Sequence, residues 1–80
     1  MQETEANRKE IADIMARLRR LRVNLAQDAA EAQKRSDLFD MVHRMTPAQE
    51  AEADRLADLL DVIENQIDAI DAALSSLGSI

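Results

Sequence analysis

Four arginines crowd together as Arg17, Arg19, Arg20 and Arg22, and guanidinium groups at that density could grip the phosphates of RNA or DNA. Their other use is ion pairing inside the fold, because charged side chains that flank a helix–helix seam commonly pair across it. A second charged set has the opposite sign. Asp54, Asp58, Asp61, Asn65 and Asp68 recur at helical spacing. Such a stripe either mimics a phosphate backbone in the basic groove of a nucleic-acid-binding protein or is the solvated face of a helix. Asp40 and His43 form an Asp-x-x-His pair, and a carboxylate and imidazole so spaced can share a metal in helical bundles. No Glu-rich motif accompanies the pair, and a histidine near a helix C-terminus is also favoured by the dipole. Serine falls at positions 36, 75, 76 and 79, and His43 is the sole imidazole, so no nucleophile–base couple is suggested. With no Gly-rich phosphate loop either, the expectation is a protein with no catalytic activity, no cofactor, no metal and no small-molecule substrate.

Charge and composition narrow the choice further. A net charge of −6 argues against a general nucleic-acid binder, because attraction to phosphate needs a positive footprint. The distribution is uneven: residues 1–45 hold nine basic and eight acidic side chains, net +1, and residues 46–80 hold Arg55 against eight acids, net −7. Phe39 is the sole aromatic residue, so platforms on which bases stack are missing. Cysteine is absent, which excludes a disulfide framework and thiolate metal sites. Eighty residues make one domain, near the size at which a single core barely suffices. Scaffolds this small usually need a staple, and a partner chain is the one left open. No apolar run exceeds three residues, so neither a membrane span nor a secretory signal is expected, and the expected location is cytoplasmic.

The elements that position these groups read as two helices. Ala53, Leu56, Leu60, Ile63, Ile67, Ile70, Leu74 and Leu77 keep unbroken 3-4 spacing, one apolar stripe with a period near 3.5. Thr46-Pro47-Ala48-Gln49 marks its start: an N-cap threonine, proline at the first helical position and glutamine closing a capping box. Gly78 reads as the residue just past its end. The second helix is therefore placed at 47–77, with a turn at 46–47 and a tail at 78–80. The first half repeats the stripe more weakly, as Ile11, Ile14, Leu18, Leu21 and Leu25, thinning to Ala29 and Ala32 and recovering at Phe39 and Val42. Strict heptad continuation would bury Asp28 and Arg35, which is costly unless they pair, whereas a shift to Ala29 and Ser36 avoids it. Helix one is placed at 7–45, preceded by a frayed segment 1–6.

Folding back at Thr46 sets Leu74 and Leu77 near Leu18 and Ile14, Ile70 near Leu21, and Ile67 near Leu25. Leu56, Leu60 and Ile63 then face the small stretch Ala29–Ser36, and Ala53 faces Phe39, large opposite small as a packed seam requires. The expected fold is all-α, an antiparallel, coiled-coil-like two-helix hairpin. Met15, Leu38, Met41, Met45, Leu59 and Val62 lie beside the stripes, where a two-helix seam cannot cover them. They are assigned to a dimer or partner interface, with two hairpins forming a four-helix bundle.

That bundle resembles the architecture of the plasmid-copy-number Rop family, which implies RNA-loop binding as an alternative function, here through Arg17–Arg22. The likeness is of architecture, and no residue is carried across. Residues 62–77, centred on Ile67-Asp68-Ala69-Ile70-Asp71, are similar to the Ile-Asp-x-Ile-Asp stretch of AroQ-type chorismate mutases, which implies a dicarboxylate held by basic residues nearby. No Arg or Lys comes after Arg55, so that activity is not expected. The leading expectation is a homodimeric interaction module that regulates, inhibits, chaperones or helps assemble a partner protein. Arg17, Arg19, Arg20, Arg22, Asp54, Asp58, Asp61 and Asp68 would set its orientation. The alternatives are a nucleic-acid-binding bundle and an acidic nucleic-acid mimic.

Overall fold

A computed structural model describes residues 2–79, with side chains described from Glu5 to Ser79. Two helices make up the fold, α1 over Gln2–Asp40 and α2 over Pro47–Gly78, and they pack against each other as an all-α hairpin. The molecule is a rod measuring 66 × 15 × 14 Å. Met1 and Ile80, which belong to the expected frayed start and tail, lie outside the described residues.

Helix α2 begins as its sequence dictates. Thr46 is extended, with φ −69° and ψ 160°. Its Oγ1 accepts a hydrogen bond from the Gln49 amide at 3.2 Å, and Gln49 Oε1 accepts one from the Thr46 amide at 2.9 Å. Both halves of the capping box are thus made, and Pro47 occupies a position whose N–H would have no helical acceptor. The far end differs from the expected glycine stop. Gly78 has no positive φ and is the last helical residue. The cap falls on Ser79, whose amide reaches the Ser75 and Ser76 carbonyls and whose hydroxyl donates to the Ser75 carbonyl at 2.9 Å.

Helix α1 is shifted against expectation at both ends. It is already helical at Gln2 instead of Asn7, because Gln2–Glu10 is built mostly of strong helix formers and lacks Gly and Pro. It stops at Asp40 instead of residue 45, and residues 41–46 form the connection. Reversing direction takes more than the two residues of the expected turn, and helix–helix connections commonly run to several residues. The Met41 and Val42 amides close the last turn of α1 on the Leu38 and Phe39 carbonyls.

The core is a single thin seam. Leu56, Ile63 and Ile70 of α2 and Ala32 of α1 are buried, and Leu60, Ile67, Leu74 and Leu77 beside them are half-buried. On α1 the seam runs through Ile11, Met15, Leu18, Leu25, Ala29, Ala32, Ser36 and Phe39. Two core assignments are corrected: Ile14 and Leu21 stand 45% and 48% exposed, and Met15, expected at an outer interface, takes the seam position next to Gly78. Continuity explains the change. Met15 and Arg22 keep one 3-4 register from Ile11 to Phe39 without a break, whereas Ile14 and Leu21 would need one before Ala29.

Candidate interaction surface

The two flanks of this seam differ. On one, Arg22 sits at a seam position that a hydrophobic residue would ordinarily fill, and it reaches across to Asp71. Arg22 Nε lies 2.6 Å from Asp71 Oδ1, and a second hydrogen bond of 3.2 Å runs from Nη2 to Oδ2. This two-point contact is the geometry a guanidinium fork makes with a carboxylate. The bond to Arg22 holds the Asp71 carboxyl below its ordinary pKa, and the same bond raises that of Arg22. Both side chains remain close to half exposed, so the pair closes the flank more than it stabilises the fold.

The opposite flank is open and largely apolar. Ile14, Leu21, Asp28 and Arg35 recur every seven residues, which places them along one side of α1, and Val42 follows at the same interval in the connection just past its end. Leu59 and Val62 answer them from α2, and the five aliphatic residues of this set are each more than a third exposed. A groove runs between the helices here. Asp28, Glu31 and Arg35 form one wall, Leu59, Val62 and Gln66 the other, and Leu25, Ala32, Leu56 and Ile63 lie beneath. It continues toward the turn between Leu38 and Val42 on one side and Glu52 on the other. Leu38 and Met41 are the most exposed of the apolar side chains, at 65% and 82%, and Met45 stands at 36%.

The remaining charged groups are not assembled into a site. Arg17, Arg19 and Arg20 are exposed, and among the described residues no salt bridge involves them. Arg17 and Arg20, three residues apart, share one side of α1, and Arg19 lies on another because a turn holds 3.6 residues. Asp54, Asp58, Asp61 and Asp68 are exposed on the outer side of α2, and an ion pair beside the first of them joins Arg55 to Glu52 at 3.5 Å. Asp40 ends α1 while His43 lies in the connection, so the Asp-x-x-His pair is not one helical turn. Among the described residues no group of three or more His, Cys, Asp or Glu is placed to hold a metal, and no helix is long and apolar enough to cross a membrane. The flank carrying Leu21, Leu59 and Val62 is only half visible in the sequence. Leu59 and Val62 stand out there, but the seam shift that puts Ile14 and Leu21 beside them does not.

The fold and its surface define a helical hairpin with one flank bridged by the Arg22–Asp71 pair and one flank open. No protein-family model, curated protein or solved structure matches the chain.

Proposed function

We propose that this chain is a protein–protein interaction module, a regulator or assembly factor of the cytoplasm, that acts by laying its open flank against the helices of other protein. The observation that carries the reading is the surface left uncovered. The hairpin exposes 6607 Å², whereas a folded monomer of its 9.0 kDa is expected to expose about 4,900 Å². The hairpin alone thus buries only about half the surface of its extended chain, short of the roughly 60% usual for a small domain. Ile14, Leu21, Val42, Leu59 and Val62 contribute to that excess from one flank, and exposed aliphatic side chains gathered on one side are how interaction surfaces present themselves. The nucleic-acid alternative has less support. Of its four arginines, Arg22 is committed to Asp71 and Arg19 lies on a different side of α1 from Arg17 and Arg20.

The reading is tested by placing a photo-crosslinking side chain at Leu59, on the open flank, and at Asp58, on the outer side of α2, in cells that make the protein. Adducts with protein should form from Leu59 and not from Asp58. Equal labelling from both positions, or none from Leu59, would refute it.

A further inference from the structure

Resting on the reading of the open flank as an interaction surface, we infer that its occupant is a second copy of the same chain, running antiparallel and centred on Glu31–Ala32. The charge and apolar pattern of the flank carries this inference. On α1, Asp28 and Arg35 lie on either side of Glu31–Ala32 at equal distance in sequence, and so, further out, do Leu21 and, just past the helix end, Val42. On α2, Leu59 and Val62 bracket the same level, since they line the groove opposite Glu31 and Ala32. A two-fold axis across the rod at this level stacks α1 on the partner's α1 and α2 on its α2, each pair antiparallel. Asp28 then meets the partner's Arg35, Leu21 meets the partner's Val42, and Leu59 meets the partner's Val62. Each contact occurs twice, as a two-fold interface demands. One register pairs Asp28 with Arg35 and aliphatic with aliphatic on both helices together, and it leaves Glu31 beside its own copy near the axis.

The parallel arrangement fails on the same residues. It would lay each α2 over the other copy's α1, pressing Leu59 and Val62 onto Asp28, Glu31 and Arg35. Charges would then be desolvated against aliphatic carbon with no counter-charge, which is expensive.

Size and ends agree with the antiparallel form. Met15 packs level with Gly78, so the first dozen residues of α1 overhang the end of α2 by about 18 Å. In this register the part of α1 before about Leu18, Ile14 included, would project beyond the partner's turn, and its Glu5–Glu10 portion is fully polar apart from Ala6. The overlap of the two hairpins spans about 30 residues of α1, or about 45 Å. At the 15 Å width of the rod, that is roughly 700 Å² of each copy and roughly 1,400 Å² in all, within the range of stable specific interfaces.

The test begins with the solution mass of the whole chain by light scattering, and then places one cysteine at a time in a chain that has none. Wild type should run at twice 9.0 kDa. Mild oxidation should link Glu31→Cys to its own copy, leave Asp58→Cys unlinked, and join Leu21→Cys to Val42→Cys when the two are mixed. Arg35→Asp should weaken the dimer by roughly tenfold or more, and the double exchange Asp28→Arg with Arg35→Asp should restore it. A folded wild-type chain of 9.0 kDa would overturn the inference, and so would a dimer that Glu31→Cys cannot link. If a folded monomer still forms Leu59 adducts with other proteins, this inference fails and the interaction-module reading stands. A dimer linked through Asp58→Cys defeats both.

Discussion

Truncating Ile63 to alanine should remove a large part of the stability of this chain. Ile63 is 4% exposed and sits mid-seam between α2 and the small residues of α1. Three carbon groups are lost, and at about 0.8 kcal/mol each they account for about 2.4 kcal/mol of transfer free energy. A sealed cavity would add to this, and core isoleucine truncations reach about 5 kcal/mol. In the unpaired hairpin the groove lined by Leu59 and Val62 opens directly onto Ile63, so at chain concentrations that keep the hairpin single, water enters and the cavity contribution is small. The expected loss is therefore about 2–3 kcal/mol, against a total of about 4–12 kcal/mol for a chain of this length. Urea denaturation monitored by circular dichroism at fixed chain concentration reads it as a midpoint lowered by about 0.7–3 M, given m-values of about 1–3 kcal/mol/M. A loss under about 0.5 kcal/mol, the range of ordinary surface substitutions, would show that the seam does not hold the hairpin.

Thr46→Ala removes the acceptor for the Gln49 amide, while the backbone N–H at position 46 can still donate to Gln49 Oε1; thermal melting should show about 1 kcal/mol lost, and an unchanged melt would mean the threonine cap contributes nothing. Asp71 titrates below its ordinary value because Arg22 donates to it, so the pair's contribution is present above the unfolded carboxylate pKa and disappears as pH falls through the folded one. Asp71→Asn should accordingly sit slightly below wild type in urea midpoint near neutral pH and converge with it in acid, and a gap that persists in acid would deny the ion pair. In fluorescence anisotropy with a labelled RNA hairpin or DNA duplex at low salt, no binding is expected, because the charge is −6 and the arginines are dispersed; salt-sensitive binding abolished by Arg19→Ala with Arg20→Ala would favour the nucleic-acid reading.

Helix α2 is legible in the sequence almost residue by residue, because its apolar stripe has no competing register and its start carries a complete capping signal. Helix α1 is ambiguous for a definite reason. Between Ile11 and Leu25 two stripes coexist, one through Ile14 and Leu21, the other through Met15 and Arg22. Judged locally, the first is the more hydrophobic and the better core. Two things outside that window select the second: the register set by Ala29, Ala32 and Ser36, and the carboxylate of Asp71 on the other helix. Neither acts within a turn or two of sequence. The end of α1 is hidden for a similar reason, since nothing in Met41–Met45 opposes a helix, and the break arises from the distance the chain must cover to reach Thr46. The seam shift creates the open flank itself, because Ile14 and Leu21, released from the core, extend the patch begun by Leu59 and Val62.

Leu21 therefore separates the two registers and the two levels of assembly in one experiment. As a core residue it would cost about 2–5 kcal/mol when truncated to alanine, whatever the chain concentration. As a residue 48% exposed on the hairpin, it should change the stability of the isolated hairpin by no more than about 0.5 kcal/mol. In an antiparallel dimer it becomes covered by the partner's Val42, so Leu21→Ala should weaken association instead, and its effect on melting should fade as the chain is diluted. Ile63→Ala serves as the reference, since its loss is internal to the hairpin and is carried down to the lowest concentration. Melting both variants over a hundredfold dilution compares them directly. A Leu21→Ala loss that matches Ile63→Ala at every concentration would return Leu21 to the core and close the flank on which the proposed assembly depends.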